Sequence, residues 1–217
     1  MKQSRLDQLA DGIFAIAMTI LVFEIRVPTF TEMVSEQVFI NSLINMYPLF
    51  LSYLLSFSLL FTYWRSHHLI ASVLAKNIDI QFSNINYIFL FLVALVPFSS
   101  HFLGSYFYSK TSVIFFALNI VLIGTTLYIM RRYVIKSSTI ENTPFTKIEN
   151  EHANMHILFP VLSALAAIAV AFYSTKIAIF LFTIAILFNL SKNGTKYMFA
   201  IINIFRDKNA TKDFLQK

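Results

Sequence analysis

The chain has 217 residues, of which 57% are hydrophobic and only 13% are charged, and its formal net charge is +6. Soluble domains contain about 25% charged residues, so this composition indicates an integral membrane protein with little room for a soluble domain. The sequence contains no cysteine, which excludes disulfides and thiolate metal sites.

Six apolar segments follow one another along the chain, and a helix needs roughly 20 such residues to cross a bilayer. The segments lack the alternation of polar and apolar residues that is typical of a membrane β-barrel. The sequence therefore predicts an all-α membrane protein with six transmembrane helices. The predicted spans are residues 6–27, 42–64, 84–103, 111–130, 155–174 and 177–191.

The distribution of Lys and Arg predicts the orientation of these helices. With the N-terminus in the cytoplasm, only Arg26, Lys110 and Lys176 of the 17 basic residues fall outside. Because basic residues concentrate in cytoplasmic loops, we expect both termini to be cytoplasmic. The same asymmetry explains the net charge as a feature of topology, so no nucleic-acid partner is expected.

Two connections between the predicted helices are long. Residues 28–41 are expected to form an outer loop, and residues 131–154 a polar inner loop. The division into domains follows from the last apolar segment. We expect residues 1–191 to form the six-helix transmembrane domain and residues 192–217 a basic cytoplasmic tail.

The first predicted helix carries charges at the front of an apolar run. With about 100° of rotation per residue, one helical stripe contains apolar residues together with a single hydroxyl and one cation. Asp11 lies away from this stripe, and a charge at this depth without a partner would cost about 3 kcal/mol. The stripe consists of Arg5, Leu9, Gly12, Ile16, Thr19, Ile20 and Phe23.

The second predicted helix ends in FTYWRSHH at the same depth as Asp11. Trp64, His67 and His68 offer N–H donors, and the Asp11 carboxylate can accept from them. Two interpretations remain open at this point. The four residues form a hydrogen-bonded network, or Trp64 lies at the membrane interface and the histidines are only solvated.

The stretch RLDQLAD followed by GIFAIAMTILVFE resembles the signature of the transmembrane protein 175 potassium channels, in their bacterial branch. The family pattern at the head of the first helix is Arg-x-x-x-Phe-Ser-Asp. This sequence keeps Arg5 and Asp11 and has Leu9 and Ala10 in place of Phe and Ser. The segment FTYWRSHH and the third-helix run LFLVALVPFSS also resemble family segments.

The resemblance implies a homotetramer in a bilayer, with one six-helix unit per chain and the first helices around a central pore. It implies that bulky apolar residues on those helices form the constriction, which places Ile16, Thr19, Ile20 and Phe23 there. It also implies that potassium is the permeant ion. Residues 1–191 would then be the channel domain, in the cell membrane of a bacterium.

The residues themselves leave alternatives open for these positions. A stripe of isoleucines can gate a pore by dewetting, or it can simply pack against another helix. The Thr19 hydroxyl can face an ion or bond to its own helix. Glu24 can raise the cation concentration at the outer mouth, and Arg5 would repel cations unless it points to an acid on a neighbouring helix.

Other functions have weaker support in the sequence. The carbonyl filter of ordinary potassium channels needs a glycine-rich segment, which is absent. His152 and His156 have metal-ligand spacing but no third ligand, so no metal, cofactor or enzymatic activity is expected. Secondary transporters often contain an inverted repeat, and the sequence shows no such repeat. The sequence thus predicts a potassium-selective channel, with a secondary transporter or a proton-permeable cation channel as the alternative.

Overall fold

The computed structural model describes residues 3–141 and 147–190 of the chain. Regular secondary structure in these ranges is helical, which confirms the predicted all-α fold. One six-residue π-helical segment, Leu69–Leu74, continues directly from α3. The α-helices are α1 (Gln3–Phe23), α2 (Glu36–Ile44), α3 (Tyr47–His68), α4 (Ile80–Ala94), α5 (Val96–Ser105), α6 (Lys110–Lys136), α7 (Lys147–Ala171) and α8 (Thr175–Leu190).

Five stretches of helix are long and apolar enough to cross a membrane, and a sixth is shorter. The sixth, Thr175–Ile186, lies within α8 and is shorter than the roughly 20 residues of a perpendicular span. The protein is therefore a multi-pass membrane protein. The five long stretches are Gln3–Phe23, Glu36–Leu74, Ile80–Ser105, Lys110–Lys136 and Ala153–Ala171.

The predicted outer loop 28–41 is shorter than expected because α2 begins within it, at Glu36. Ser35 is extended at the N-cap position, and the Glu36 carboxylate lies in the first turn. An acid in the first turn of a helix is stabilised by the helix dipole. α3 then begins at Tyr47 with Pro48 in its first turn, where a missing N–H costs no hydrogen bond.

The predicted inner loop 131–154 is also shorter, because helices enter it from both sides. α6 continues to Lys136 and α7 begins at Lys147. The buried Arg131 guanidinium stabilises this extension, since its Nη2 donates to Oδ1 of Asn150 at 2.6 Å and its Nη1 donates to Asn154. The predicted tail 192–217 lies outside the described residues, as does the boundary at residue 191.

The third predicted span is two helices in succession. α4 ends at Ala94, and α5 begins at Val96 with Pro97 in its first turn. Proline cannot donate the backbone hydrogen bond that would continue α4, so the helix breaks just before it. A second proline, Pro160, lies inside α7 without ending it.

α1 packs against α3, α4 and α5, while α6 packs against α4, α5 and α7, and α8 packs against α7 and α3. Small residues bring α3 and α5 close together. A Cβ atom on Gly104 would lie 2.5 Å from Oγ of Ser52, so only glycine fits there. Ser100 Oγ also donates to the carbonyl of Ser52 at 3.1 Å. We call the end where α1 begins the inner end and the end where it finishes the outer end.

Candidate functional site: the exposed face of α1

α1 has two faces of opposite character. One face is buried against the other helices of the chain and consists of Leu6, Ala10, Phe14, Ala17 and Leu21. The opposite face contains the stripe that the sequence predicts, and it is exposed in the single chain. Ile16 is 59% exposed, Ile20 40% and Phe23 72%. The structure thus keeps these residues out of the core of their own chain.

The exposed stripe is continuous along the helix. Arg5, Leu9 and Gly12 are exposed at its inner end, and Thr19 is exposed between the two isoleucines. A Cβ atom on Gly12 would have no neighbour within 4 Å, so this glycine opens space without serving a close helix contact. The stripe is therefore a largely apolar surface. In the membrane it either faces a pore or lies against another molecule.

Thr19 uses its hydroxyl hydrogen within its own helix. The Oγ1 atom lies 2.9 Å from the carbonyl oxygens of both Ala15 and Ile16, to which it donates. This is the local bonding that the sequence left open as an alternative. Because the hydrogen points back at the helix, the lone pairs of Oγ1 remain available on the exposed face. Thr19 can therefore offer an oxygen ligand but no free donor.

Asp11 and Trp64 form a hydrogen bond, as one of the two interpretations of the sequence proposes. Trp64 Nε1 donates to Oδ1 of Asp11 at 2.8 Å and so connects α1 to α3 near the inner end. His68, one turn further along α3, stacks on the Trp64 ring with a centroid distance of 6.0 Å. The stacked His68 therefore packs against one side of the indole that donates to Asp11.

His67 does not share in this contact, so the network that the sequence left as one of two interpretations does not include it. Its Nε2 atom lies 2.7 Å from Oδ1 of Asn86 on α4, and its ring stacks on Phe89 at 5.1 Å. Successive helical residues point about 100° apart, so His67 does not project in the direction that Trp64 and His68 share. His67 is buried between α3 and α4 instead of solvated.

Sequence reasoning missed two members of this inner region. Phe14, on the buried face of α1, lies 6.2 Å from the His67 ring and 5.9 Å from the Phe89 ring. Asn86 is fully buried, and its Nδ2 has no hydrogen-bond partner among the described residues. An asparagine within an apolar membrane helix is the signal that would have identified it, because buried amides there need partners.

The remaining predicted charges lie apart from this group. Arg5 is exposed and makes no ion pair within the ranges that the structure covers, so it is not part of a network with Asp11 in the single chain. Glu24 is at the outer end, where its Oε2 lies 2.8 Å from Nδ1 of His101 on α5. The sequence predicted Glu24 at the mouth but did not identify His101 as its partner.

Metal-binding side chains are not concentrated anywhere in the described part of the chain. No group of three or more His, Asp or Glu residues there has the arrangement of a metal site. A site of that kind needs three or four protein ligands. The exposed stripe of α1 therefore offers an apolar surface with the Thr19 hydroxyl and, at its inner end, the Arg5 cation.

Comparison with known proteins shows what this arrangement is similar to. The sequence model of the family described as endosomal/lysosomal potassium channel TMEM175 matches residues 5–97. A protein from Chamaesiphon minutus named as a potassium channel is 38% identical over 102 residues, which are 47% of this chain and 49% of that protein. The chain therefore matches about half the length of this relative.

Two further matches cover more of the chain. A protein from Chryseobacterium sp. named as a potassium channel is 26% identical over 98% of this chain and 97% of its own length. The crystal structure of a lysosomal potassium-selective channel TMEM175 homolog from Chamaesiphon minutus superposes with a TM-score of 0.73. That match has 26% identity and covers 86% of this chain and 95% of the other. The resemblance in the sequence to the transmembrane protein 175 potassium channels is thus confirmed, over residues 5–97 by the family model and over most of the chain by the superposed structure.

Proposed function

We propose that the chain is a potassium channel of a bacterial cell membrane, in which the exposed stripe of α1 lines the pore. The observation that carries this proposal is the division of α1 into a packed face and an exposed face. Ile16 and Phe23, at 59% and 72% exposure, are bulky residues on a helix whose other face is firmly packed. The names of the relatives support potassium as the permeant ion.

The proposed assembly is a homotetramer, with four copies of α1 around one axis. Four Ile16 side chains then form the narrowest ring, followed outward by Thr19, Ile20 and Phe23. Such a ring excludes water when closed and makes an ion shed part of its hydration when open. Sodium holds its water more strongly than potassium, so the ring favours potassium, with Oγ1 of Thr19 as a replacement ligand.

In the proposed orientation both termini lie in the cytoplasm. The proposed channel needs no cofactor. In this orientation the Asp11–Trp64 contact lies toward the cytoplasm and the Glu24–His101 pair lies at the outer mouth. Glu36, exposed at the start of α2, is then outside. The chain has no cysteine of its own, so Glu36→Cys should react with an impermeant thiol reagent on intact cells. A failure to react would indicate the opposite orientation.

The test of the function is recording from the purified protein in planar bilayers. With potassium on one side and sodium on the other, a potassium channel gives a current that reverses far from zero millivolts. A transporter would saturate and couple to a second ion, and a proton-permeable channel would shift its reversal with a pH gradient. Reversal near zero with equal potassium and sodium currents would contradict the proposed selectivity.

Two variants of α1 test the proposed constriction. Ile16→Asn should wet the ring, raise the conductance and move the reversal potential toward zero, because the dehydration barrier falls. Val22→Asn is the matched control, since Val22 is 47% exposed on the same helix but lies off the stripe. If Val22→Asn changes selectivity and Ile16→Asn does not, the pore lies on the other side of α1.

A further inference from the structure

A groove at the outer end combines aromatic hydroxyls, a cation and an apolar floor. It has a volume of about 350 Å³ and lies between the start of α3, the turn before α6 and the start of α8. Its polar rim is formed by Tyr47, Tyr108 and Lys176, and its apolar part includes Leu51 and Ile179. Ligand sites are typically concave and apolar with a few polar groups, as here.

The rim offers donors and no acidic group of its own. Tyr47 and Tyr108 hydrogen bond to each other through their hydroxyls. That bond uses one of the two hydroxyl hydrogens and leaves the other free to donate. The Lys176 ammonium lies 5.9 Å from the centroid of the Tyr108 ring, so it is held beside these hydroxyls. Together these groups match the oxygens of a phosphate.

A second lysine adds positive charge to the same corner. Lys110, two residues after Tyr108, places its ammonium 5.9 Å from the centroid of the Phe172 ring at the end of α7. Within residues 3–141 and 147–190 neither Lys110 nor Lys176 makes an ion pair. Two of the three basic residues that the sequence assigns to the outer side therefore lie at this corner without an acidic partner in those ranges.

The groove extends from this rim along α8, toward the middle of the membrane. From Lys176 to Thr183, which lines its deep part, α8 rises about 10 Å. That depth accommodates the first segment of an acyl chain beneath a phosphate. α8 packs against α3, α6 and α7, away from the exposed stripe of α1. If the stripe lines the pore, as the proposed function has it, the groove lies on the lipid-facing perimeter.

We propose that this groove binds an anionic phospholipid of the outer leaflet. The phosphate accepts from Lys176 and a tyrosine hydroxyl, the charge of Lys110 favours an anionic headgroup, and an acyl chain lies along Leu51, Ile179 and Thr183. Binding itself does not require the chain to conduct potassium. The lipid measurement therefore fails or succeeds separately from the electrical one.

The test uses the full chain in nanodiscs of equal parts phosphatidylglycerol and phosphatidylcholine, followed by native mass spectrometry of the lipids that remain bound. The wild type should retain phosphatidylglycerol in preference to phosphatidylcholine. Lys176→Gln should reduce that retention about fivefold, the effect of one cation near a lipid phosphate. Thr183→Trp should fill the groove and displace both lipids.

Two matched variants serve as controls. Arg26→Gln removes an outer cation elsewhere, and Ile184→Trp adds an indole at an exposed neighbour of Thr183, so both should retain lipid as the wild type does. Unchanged retention in Lys176→Gln and Thr183→Trp would overturn the proposal. So would an adduct with inorganic phosphate but no lipid. A shift of Thr183→Trp to a smaller oligomer on a sizing column would instead assign the groove to a second copy of the chain.

Discussion

The indole N–H of Trp64 donates to the Asp11 carboxylate at 2.8 Å, and thirteen residues further along α1 the Glu24 carboxylate meets His101 at the same distance. These contacts are separated by about 20 Å of helix. One holds the inner half of α1 to α3, and the other holds its outer end to α5. Between them, the buried face of α1 packs through Phe14, Ala17 and Leu21, which sets the direction of the exposed stripe.

Asp11→Ala should loosen the inner contact. Removing the carboxylate leaves the Trp64 N–H without an acceptor, which costs about 1–3 kcal/mol. Asp11→Asn keeps an acceptor oxygen and should lose less. Trp64 is the only tryptophan in the chain, so its fluorescence during thermal unfolding reports this site alone. Equal stability and emission in wild type and Asp11→Ala would show that the contact does not hold α1.

The outer pair should behave as a coupled unit. A double-mutant cycle with Glu24→Gln and His101→Gln is expected to give a coupling energy of about 0.5–1 kcal/mol, because the pair is partly exposed. The His101 Nε2 also lies 3.3 Å from Oγ of Ser105, a longer contact on an exposed edge. Ser105→Ala should therefore have little effect. Additive effects of the Glu24 and His101 substitutions would mean that the two residues act independently.

Asp79 lies at the inner end, and its hydrogen bonds should make the stability of the protein depend on pH. Its Oδ1 caps α4 by accepting from the N–H of Phe82 at 2.8 Å, and its Oδ2 accepts from Thr139 at 2.7 Å and from Tyr133. Desolvation raises the pKa of Asp79, but these hydrogen bonds outweigh it and hold the pKa below its ordinary value of 3.8. The carboxylate therefore adds stability above pH 3.8, and this is lost as the pH falls through the lower folded-state pKa.

The matched variant is Asp79→Asn, which keeps an oxygen for the cap but cannot ionise. It should be less stable than the wild type at neutral pH, and the difference should close as the pH falls below 3.8. Asp79→Ala also loses the cap and should be weaker by about a further 1 kcal/mol at every pH. A constant difference between wild type and Asp79→Asn across the whole range would rule out this role of the charge.

The architecture and part of the site follow from local patterns in the sequence. Apolar length predicts the spans, and the helical repeat predicts which face of α1 carries Ile16 and Phe23. The spacing of Trp64 and His68, one turn apart, places them together on α3. The break before Pro97 also follows from chemistry that is local to the chain.

The contacts of His67 and His101 depend on which helices become neighbours, and no local pattern encodes that. His67 meets Asn86 because α4 lies beside α3, and His101 meets Glu24 because α5 lies beside α1. The extension of α6 likewise depends on a tertiary contact, from Arg131 to Asn150. Loop bounds predicted from polarity alone fail at such places, because a polar side chain can be satisfied inside the fold.

The proposed pore face of α1 is tested most directly by cysteine substitution at two adjacent residues, Phe23 and Val22. The chain has no cysteine, and both positions are exposed, at 72% and 47%. Each single variant is recorded in a bilayer while a positively charged, water-soluble thiol reagent is applied from the outer side. We expect the reagent to block the current of Phe23→Cys and to leave that of Val22→Cys unchanged. Block of Val22→Cys with no effect on Phe23→Cys would contradict the proposed pore face.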